Sequence, residues 1–200
     1  MESALRLFEK KGFTRTSIDS ITESADVGKG TFYNYFDSKE ALLATWGLQL
    51  LNVAAEDLKT PPDDEQPALR TLFQFFSTLL EPIQARPRLA GPFLMATLFA
   101  PQAVNDIPAP AETEGEGEGE APAEPQPPPR ICALVQPFVE RAMEQGMLRT
   151  DLDPAQIVKA LVGAFYHSVL LHALGEEALP PRDALRSHLA LTLEGLAPGE

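Results

Sequence analysis

Apolar residues recur at intervals of three and four along most of the chain, and no segment shows the strict alternation of a half-buried strand. Ala4, Leu5 and Phe8 make a first helical stripe that stops at Gly12, a residue suited to the position just past a helix end. Ile18, Ile21 and Ala25 make a second, with Thr16-x-x-Asp19 as its expected capping box. A third, short helix follows Gly28. Ser38 is expected to cap a fourth, with Leu42, Trp46 and Leu50 inward, ending before Pro61-Pro62. Leu69, Leu72, Phe73, Phe76, Leu79 and Ile83 mark a fifth, with a bend expected near Pro82. Leu89 to Phe99 supplies a sixth, and Ile131, Leu134, Val135, Phe138 and Met143 a seventh. Asp153-Pro154 forms an Ncap–N1 pair for an eighth helix running to about Leu174. Pro181 starts a ninth, with Leu185, Leu189, Thr192 and Leu196 on its stripe. The expectation is an all-α protein of about nine helices.

Charge divides this pattern. The chain carries a net charge of −13, which excludes bulk positive charge as the basis of nucleic-acid binding. More than half of that charge lies in residues 104–129, which hold seven acidic residues, no basic ones and seven of the 19 prolines. A stretch such as ETEGEGEGEAPAEPQPPP has almost nothing to bury, so it is expected to be a disordered loop within the second of two domains. The lone cysteine, Cys132, excludes an intramolecular disulfide and argues against a thiolate metal site. No run approaches the roughly 18 apolar residues of a membrane span. The nearest, Leu161 to Leu174, is interrupted by Tyr166, His167, Ser168 and His172. No secretory signal is visible at the N-terminus, and a cytoplasmic location is expected.

The chemically informative stretch is Thr16 to Leu43, TSIDSITESADVGKGTFYNYFDSKEALL. Two short helices joined by the turn Ala25-Asp26-Val27-Gly28 have the layout of a helix-turn-helix, whose second helix enters the major groove. At about 100° per residue, Phe32 and Phe36 share one face, while Gly30 and Asn34 lie opposite. Thr31 and Tyr33 flank that outward side, and Tyr35 falls nearer the core edge. Gly30 lets the backbone approach a duplex closely. Asn34 suits an adenine edge, and Thr and Tyr hydroxyls suit phosphates. Lys29 and Lys39 are candidates for neutralising phosphate charge. The alternative is that FYNYF is ordinary core and Lys39-Glu40 an ordinary solvated helix start.

Residues 4–47 resemble the DNA-binding head of the TetR (AcrR-like) family of transcriptional regulators. The resemblance rests on ALRLFEKKGF, Thr16-Ser17, Ile18-x-x-Ile21, Ala25-x-Val27-x-Lys29-Gly30-Thr31-x-Tyr33, Tyr35-Phe36 and Ser38-Lys39-Glu40-x-Leu42, with spacing preserved. It implies a homodimeric, ligand-responsive regulator, usually a repressor, on double-stranded operator DNA. It also implies that Thr16 or Ser17 caps the second helix and meets phosphate. Gly28, Lys29, Gly30, Thr31, Tyr33, Asn34 and Tyr35 would form the recognition surface, and Lys39 would meet phosphate. The family often has a small hydroxyl residue where Gly28 stands and histidine where Tyr35 stands, so base preference does not transfer. Family members also begin earlier, often with a basic arm, which leads to an expectation of weakened operator binding here. The alternative function is a helical ligand-binding or interaction protein that has lost DNA binding with that arm.

Residues 48–200 contain no nucleophile elbow, phosphate loop or metal-spaced His/Glu pair, so no enzyme and no cofactor is expected. Phe73, Phe76, Phe93, Met95, Phe99, Phe138, Met143, Phe165 and His167 are candidates to line a cavity for a small apolar effector. For each of them the alternative is ordinary packing. Val162, Gly163, Ala164, Val169, Leu185 and Leu189, on the eighth and ninth helices, are candidates for a two-fold dimer interface that would match a roughly palindromic operator.

Overall fold

A computed structural model describes residues 1–59, 68–99, 131–176 and 179–197. The expected acidic loop at 104–129 lies outside the described residues. The described chain is all helix: α1 (Glu2–Lys11), α2 (Ile18–Ala25), α3 (Lys29–Tyr33), α4 (Lys39–Lys59), α5 (Ala68–Gln84), α6 (Pro87–Phe99), α7 (Ile131–Glu144), α8 (Pro154–Leu174) and α9 (Pro181–Leu196).

The first three helices and the start of α4 enclose a small core of Leu5, Phe8, Ile21, Phe32, Leu42 and Leu43. Each such side chain contributes roughly 1.5–3 kcal/mol when fully buried, which offsets the poor stability of five- and eight-residue helices taken alone. Gly12 ends α1 at φ 87°, a conformation a β-carbon would strain, and its amide donates to Phe8 O. The larger body packs α5 against α4, α7 and α9, and α8 against α6, α7 and α9. Phe75, Phe76, Leu80, Ile83, Val139, Phe165 and Val169 form its centre, with Phe76 stacked on Phe165 at 5.5 Å between ring centroids. Pro82, Pro92 and Pro137 each sit inside a helix that continues past them.

The eighth helix starts as its sequence indicates: Asp153 Oδ1 accepts from the Ala155 amide at 2.9 Å and Pro154 occupies the first turn. By length and composition α8 reaches what a membrane crossing needs, more than the sequence reading allowed. Ile157, Val158, Leu161, Val162, Phe165 and Val169 are nonetheless buried within the protein.

Candidate nucleic-acid interface and effector cavity

The head is set up by local hydrogen bonding. Ser17 caps α2, its hydroxyl accepting from the Ser20 amide at 3.2 Å. After α2 the chain turns through Asp26 in the left-handed region (φ 53°, ψ 46°), which aspartate tolerates better than most residues. The Asp26 amide donates to Glu23 O and the Val27 amide to Thr22 O, closing the turn. Gly28, in extended conformation, precedes α3. The amides of Asn34 and Phe36 donate to Gly30 O and Phe32 O, carrying a helical turn beyond Tyr33.

Phe32 is buried and Phe36 half-buried, with their rings 5.6 Å apart. Gly28, Lys29, Gly30, Thr31, Tyr33 and Asn34 are exposed on the other side, as the helical angles require. Tyr35, expected near the core edge, is 68 % exposed, more so than Tyr33 at 52 %. Lys29 Nζ pairs with Asp19 Oδ1 at 2.7 Å, and hydrogen bonding and charge from Asp19 raise the lysine pKa.

Two expected phosphate contacts are corrected. Thr16 is buried, and its hydroxyl donates to Gly12 O at 2.8 Å and lies 3.3 Å from Leu7 O. It locks the loop after α1 and presents no side-chain oxygen to DNA; capping falls to Ser17 instead. Lys39 turns its ammonium inward, donating to Phe13 O at 3.0 Å and Thr16 O at 2.8 Å, with Nζ 4.8 Å from the centre of the Phe13 ring. Two of its three N–H donors are therefore committed to the backbone.

The head is fastened to the body at the start of α6. Arg88 Nη1 donates to the carbonyls of Glu9 (3.0 Å) and Lys10 (3.1 Å) in the last turn of α1. Arg86 pairs with Glu2 at 2.9 Å and lies over Trp46, 5.9 Å from the ring centre.

In the body, a cavity of about 190 Å³ lies between α5, α8 and α9, lined by Leu72, Phe73, Phe76, Leu161, Leu189 and Arg186 among others. Of the expected lining residues only Phe73 and Phe76 reach it. Phe93 packs edge-on against Trp46, and Phe165 is in the core behind Phe76. Phe138 and Met143 are half-buried on α7, away from this cavity. Met95 is 60 % exposed. The Phe99 side chain lies outside the described residues. His167 is exposed on the outer face of α8, 5.0 Å from His188 between ring centroids.

The expected dimer residues also divide. Val162, Val169, Leu185 and Leu189 are buried within the protomer, Leu189 against the cavity, so they are corrected from interface to core. Ala164 is half-buried and Gly163 exposed. The outward stripe of α8 runs through Ala160, Gly163, His167, Leu170 and Leu174, on the side of the helix opposite the inward one. It joins Leu191 of α9, 67 % exposed, around a shallow groove of about 310 Å³. Beneath the groove, the Ser168 hydroxyl donates to Ala164 O at 3.0 Å and lies 2.8 Å from His188 Nδ1.

A helix-turn-helix head on a larger helical body defines a DNA-binding transcriptional regulator, and the comparisons agree. Residues 1–45 match the family model for bacterial regulatory proteins of the tetR family. The chain is 26 % identical over 206 residues to the HTH-type transcriptional repressor DhaR of Mycobacterium sp. (strain GP1), covering 99 % of this chain and 90 % of that protein. Its fold superposes on Thermus thermophilus FadR, a TetR-family repressor solved with lauroyl-CoA, at a TM-score of 0.69 with 24 % identity, covering 100 % and 94 % of the two chains. It superposes on Bacillus subtilis FadR, solved with stearoyl-CoA, at 0.68 with 16 % identity, covering 98 % and 96 %. Residues 1–45 thus carry the head of the tetR family, and the chain as a whole shares the fold of TetR-family repressors.

Proposed function

We propose that the protein represses transcription as a homodimer on a roughly palindromic operator, and that a small apolar effector releases it. The observation that carries the DNA-binding part is the outward side of α3: Gly30, Thr31, Tyr33 and Asn34 exposed behind an anchored Phe32. That side is nearly free of charge, so it is fitted to read base edges and leaves phosphate attraction to its surroundings. The α8/α9 outer face supplies the two-fold contact, and the cavity between α5, α8 and α9 takes the effector. The repressor names of DhaR and Thermus thermophilus FadR, and the acyl-CoA in both FadR structures, support this reading.

The route from cavity to head is short. α8 packs on α6, and α6 holds α1 through Arg88. An effector that shifts α8 relative to α6 changes the angle of the head and thus the fit of two recognition helices to one duplex. The test is binding to DNA from upstream of the protein's own coding region across a salt series. Asn34→Ala is expected to lose about 1–3 kcal/mol of discrimination at one position of each half-site while keeping its salt slope. Unchanged discrimination in that variant overturns the assignment of α3 as the reading helix.

A further inference from the structure

We infer that the effector carries an anionic head, held by Arg186, on a short apolar tail that fills the α5/α8/α9 cavity. The inference rests on the effector site proposed above and replaces a wholly apolar ligand there by an amphiphile with an apolar tail. Every other side chain named around the cavity is apolar: Leu72, Phe73 and Phe76 from α5, Leu161 from α8 and Leu189 from α9. Arg186 is the charged member of that lining. Its guanidinium carbon lies 5.9 Å from the centre of the Phe73 ring, which holds it against the cavity wall by cation–π attraction. Among the described residues no carboxylate pairs with it; Asp183, one turn earlier on α9, does not reach ion-pair distance. A planar guanidinium with its N–H donors uncommitted, set at the edge of an apolar cavity, matches a carboxylate or phosphate attached to something apolar.

Cavity size limits the tail. At about 190 Å³ the cavity falls below the ~300–1,000 Å³ of sites for drug-sized ligands, which fits a short acyl chain or a single ring. The anionic head directly attached to such a tail is a carboxylate; in an acyl thioester of coenzyme A the phosphates lie a whole pantetheine arm beyond the acyl carbonyl, out of reach of Arg186 when the acyl chain fills the cavity.

Calorimetric titration of the full chain with heptanoate, heptanoyl-CoA, 1-heptanol and heptylamine separates these outcomes. Heptanoate is expected to bind ten or more times more tightly than the alcohol, and the amine least. Heptanoyl-CoA binding more tightly than heptanoate overturns the carboxylate head. Arg186→Gln is expected to weaken heptanoate about 10–100-fold, the worth of a charge-assisted hydrogen bond, while leaving the alcohol unchanged; Arg186→Lys is expected to restore part of the loss. Alcohol binding equal to anion binding overturns the inference, as does an unchanged anion affinity in Arg186→Gln. Absence of saturable anion binding to folded protein overturns it too. Operator binding measured on the same preparations keeps the two readings apart. Release of DNA by alcohol and anion alike leaves the effector reading standing and sinks the anionic head. Anion binding through Arg186 in a protein that does not bind its upstream DNA does the reverse.

Discussion

The ammonium of Lys39 donates to the carbonyl of Thr16 at 2.8 Å across 23 residues of sequence. With its second bond to Phe13 O, it ties the first turn of α4 to the loop between α1 and α2. Replacing it with methionine keeps most of the apolar stem and removes both bonds. Lys39→Met is expected to cost about 1.5–3 kcal/mol of stability, the range for hydrogen bonds to charged groups. Operator affinity should fall for all sequences, because the recognition helix loses its seating. The salt slope separates this role from a phosphate contact. A slope change of about one, with stability intact, places the charge on the duplex instead. Chemical unfolding and a salt series on one preparation settle which holds.

The two outcomes for Lys39 and Asn34 show what was legible in advance. Asn34 was placed by a local rule, because Phe32 and Phe36 fix the face of one helical turn and everything opposite must point out. The place of Lys39 is not legible because an ammonium can serve either a phosphate or backbone carbonyls, and only the fold brings Phe13 O and Thr16 O within its reach. The same limit applies in the body. Opposite sides of α8 both carry small or apolar residues, Val162 and Val169 on one and Gly163 and Leu170 on the other, so which side faces inward depends on where α6, α7 and α9 lie. Arg186 escaped notice because three helices build its cavity. The Ser168–His188 contact likewise joins two helices whose pairing no spacing rule encodes.

Gly47 of α4 sits against α6. A β-carbon there would stand 3.0 Å from Phe93 Cε2 and 3.0 Å from Thr97 Cγ2. Phe93 has little room to yield, being 3 % exposed and packed on Trp46. Gly47→Ala gains about 0.8–1.0 kcal/mol of helix propensity, but overpacking of a filled core costs typically 1–3 kcal/mol. The net expectation is a loss of about 1 kcal/mol. Because α4 carries the head and α6 holds α1, operator affinity should change as well. A stabilised variant in thermal unfolding would show that the crossing relaxes freely.

Burial raises the pKa of the Tyr166 phenol above the ordinary tyrosine value; a hydrogen bond with Thr97 opposes the rise, and nearby Cys132 adds to it. The sign of its effect on stability follows. The folded state keeps the proton to higher pH than the unfolded chain, so the unfolded chain binds fewer protons above the ordinary value of about 10. The contribution is complete below that pH and is lost as pH rises through the folded value. Tyr166→Phe should therefore lose less stability than the parent as pH rises above about 10. In absorbance titration at the phenolate band, the component missing from the variant should lie above the ordinary tyrosine range. Parallel stability losses in the two proteins would remove the buried phenol from the alkaline response.

Leu191 and Val169 give opposite expectations from neighbouring positions on the α8/α9 pair. Leu191 is 67 % exposed in the protomer, while Val169 is fully buried. Arginine at Leu191 meets solvent in the monomer, where surface changes usually fall within about 0.5 kcal/mol. In the proposed dimer it would be driven into an apolar contact across the two-fold axis, where an unpaired buried charge is costly. Leu191→Arg is thus expected to give a folded monomer by sedimentation, with operator binding weakened because the two half-sites are no longer engaged together. Val169→Arg is expected to unfold the body at any protein concentration. A Leu191→Arg protein that stays dimeric moves the interface off this face. The exposed Gly163, with nothing within 4 Å of a β-carbon, provides the second check. Gly163→Arg should leave the monomer's fold intact and abolish dimerisation in the same way.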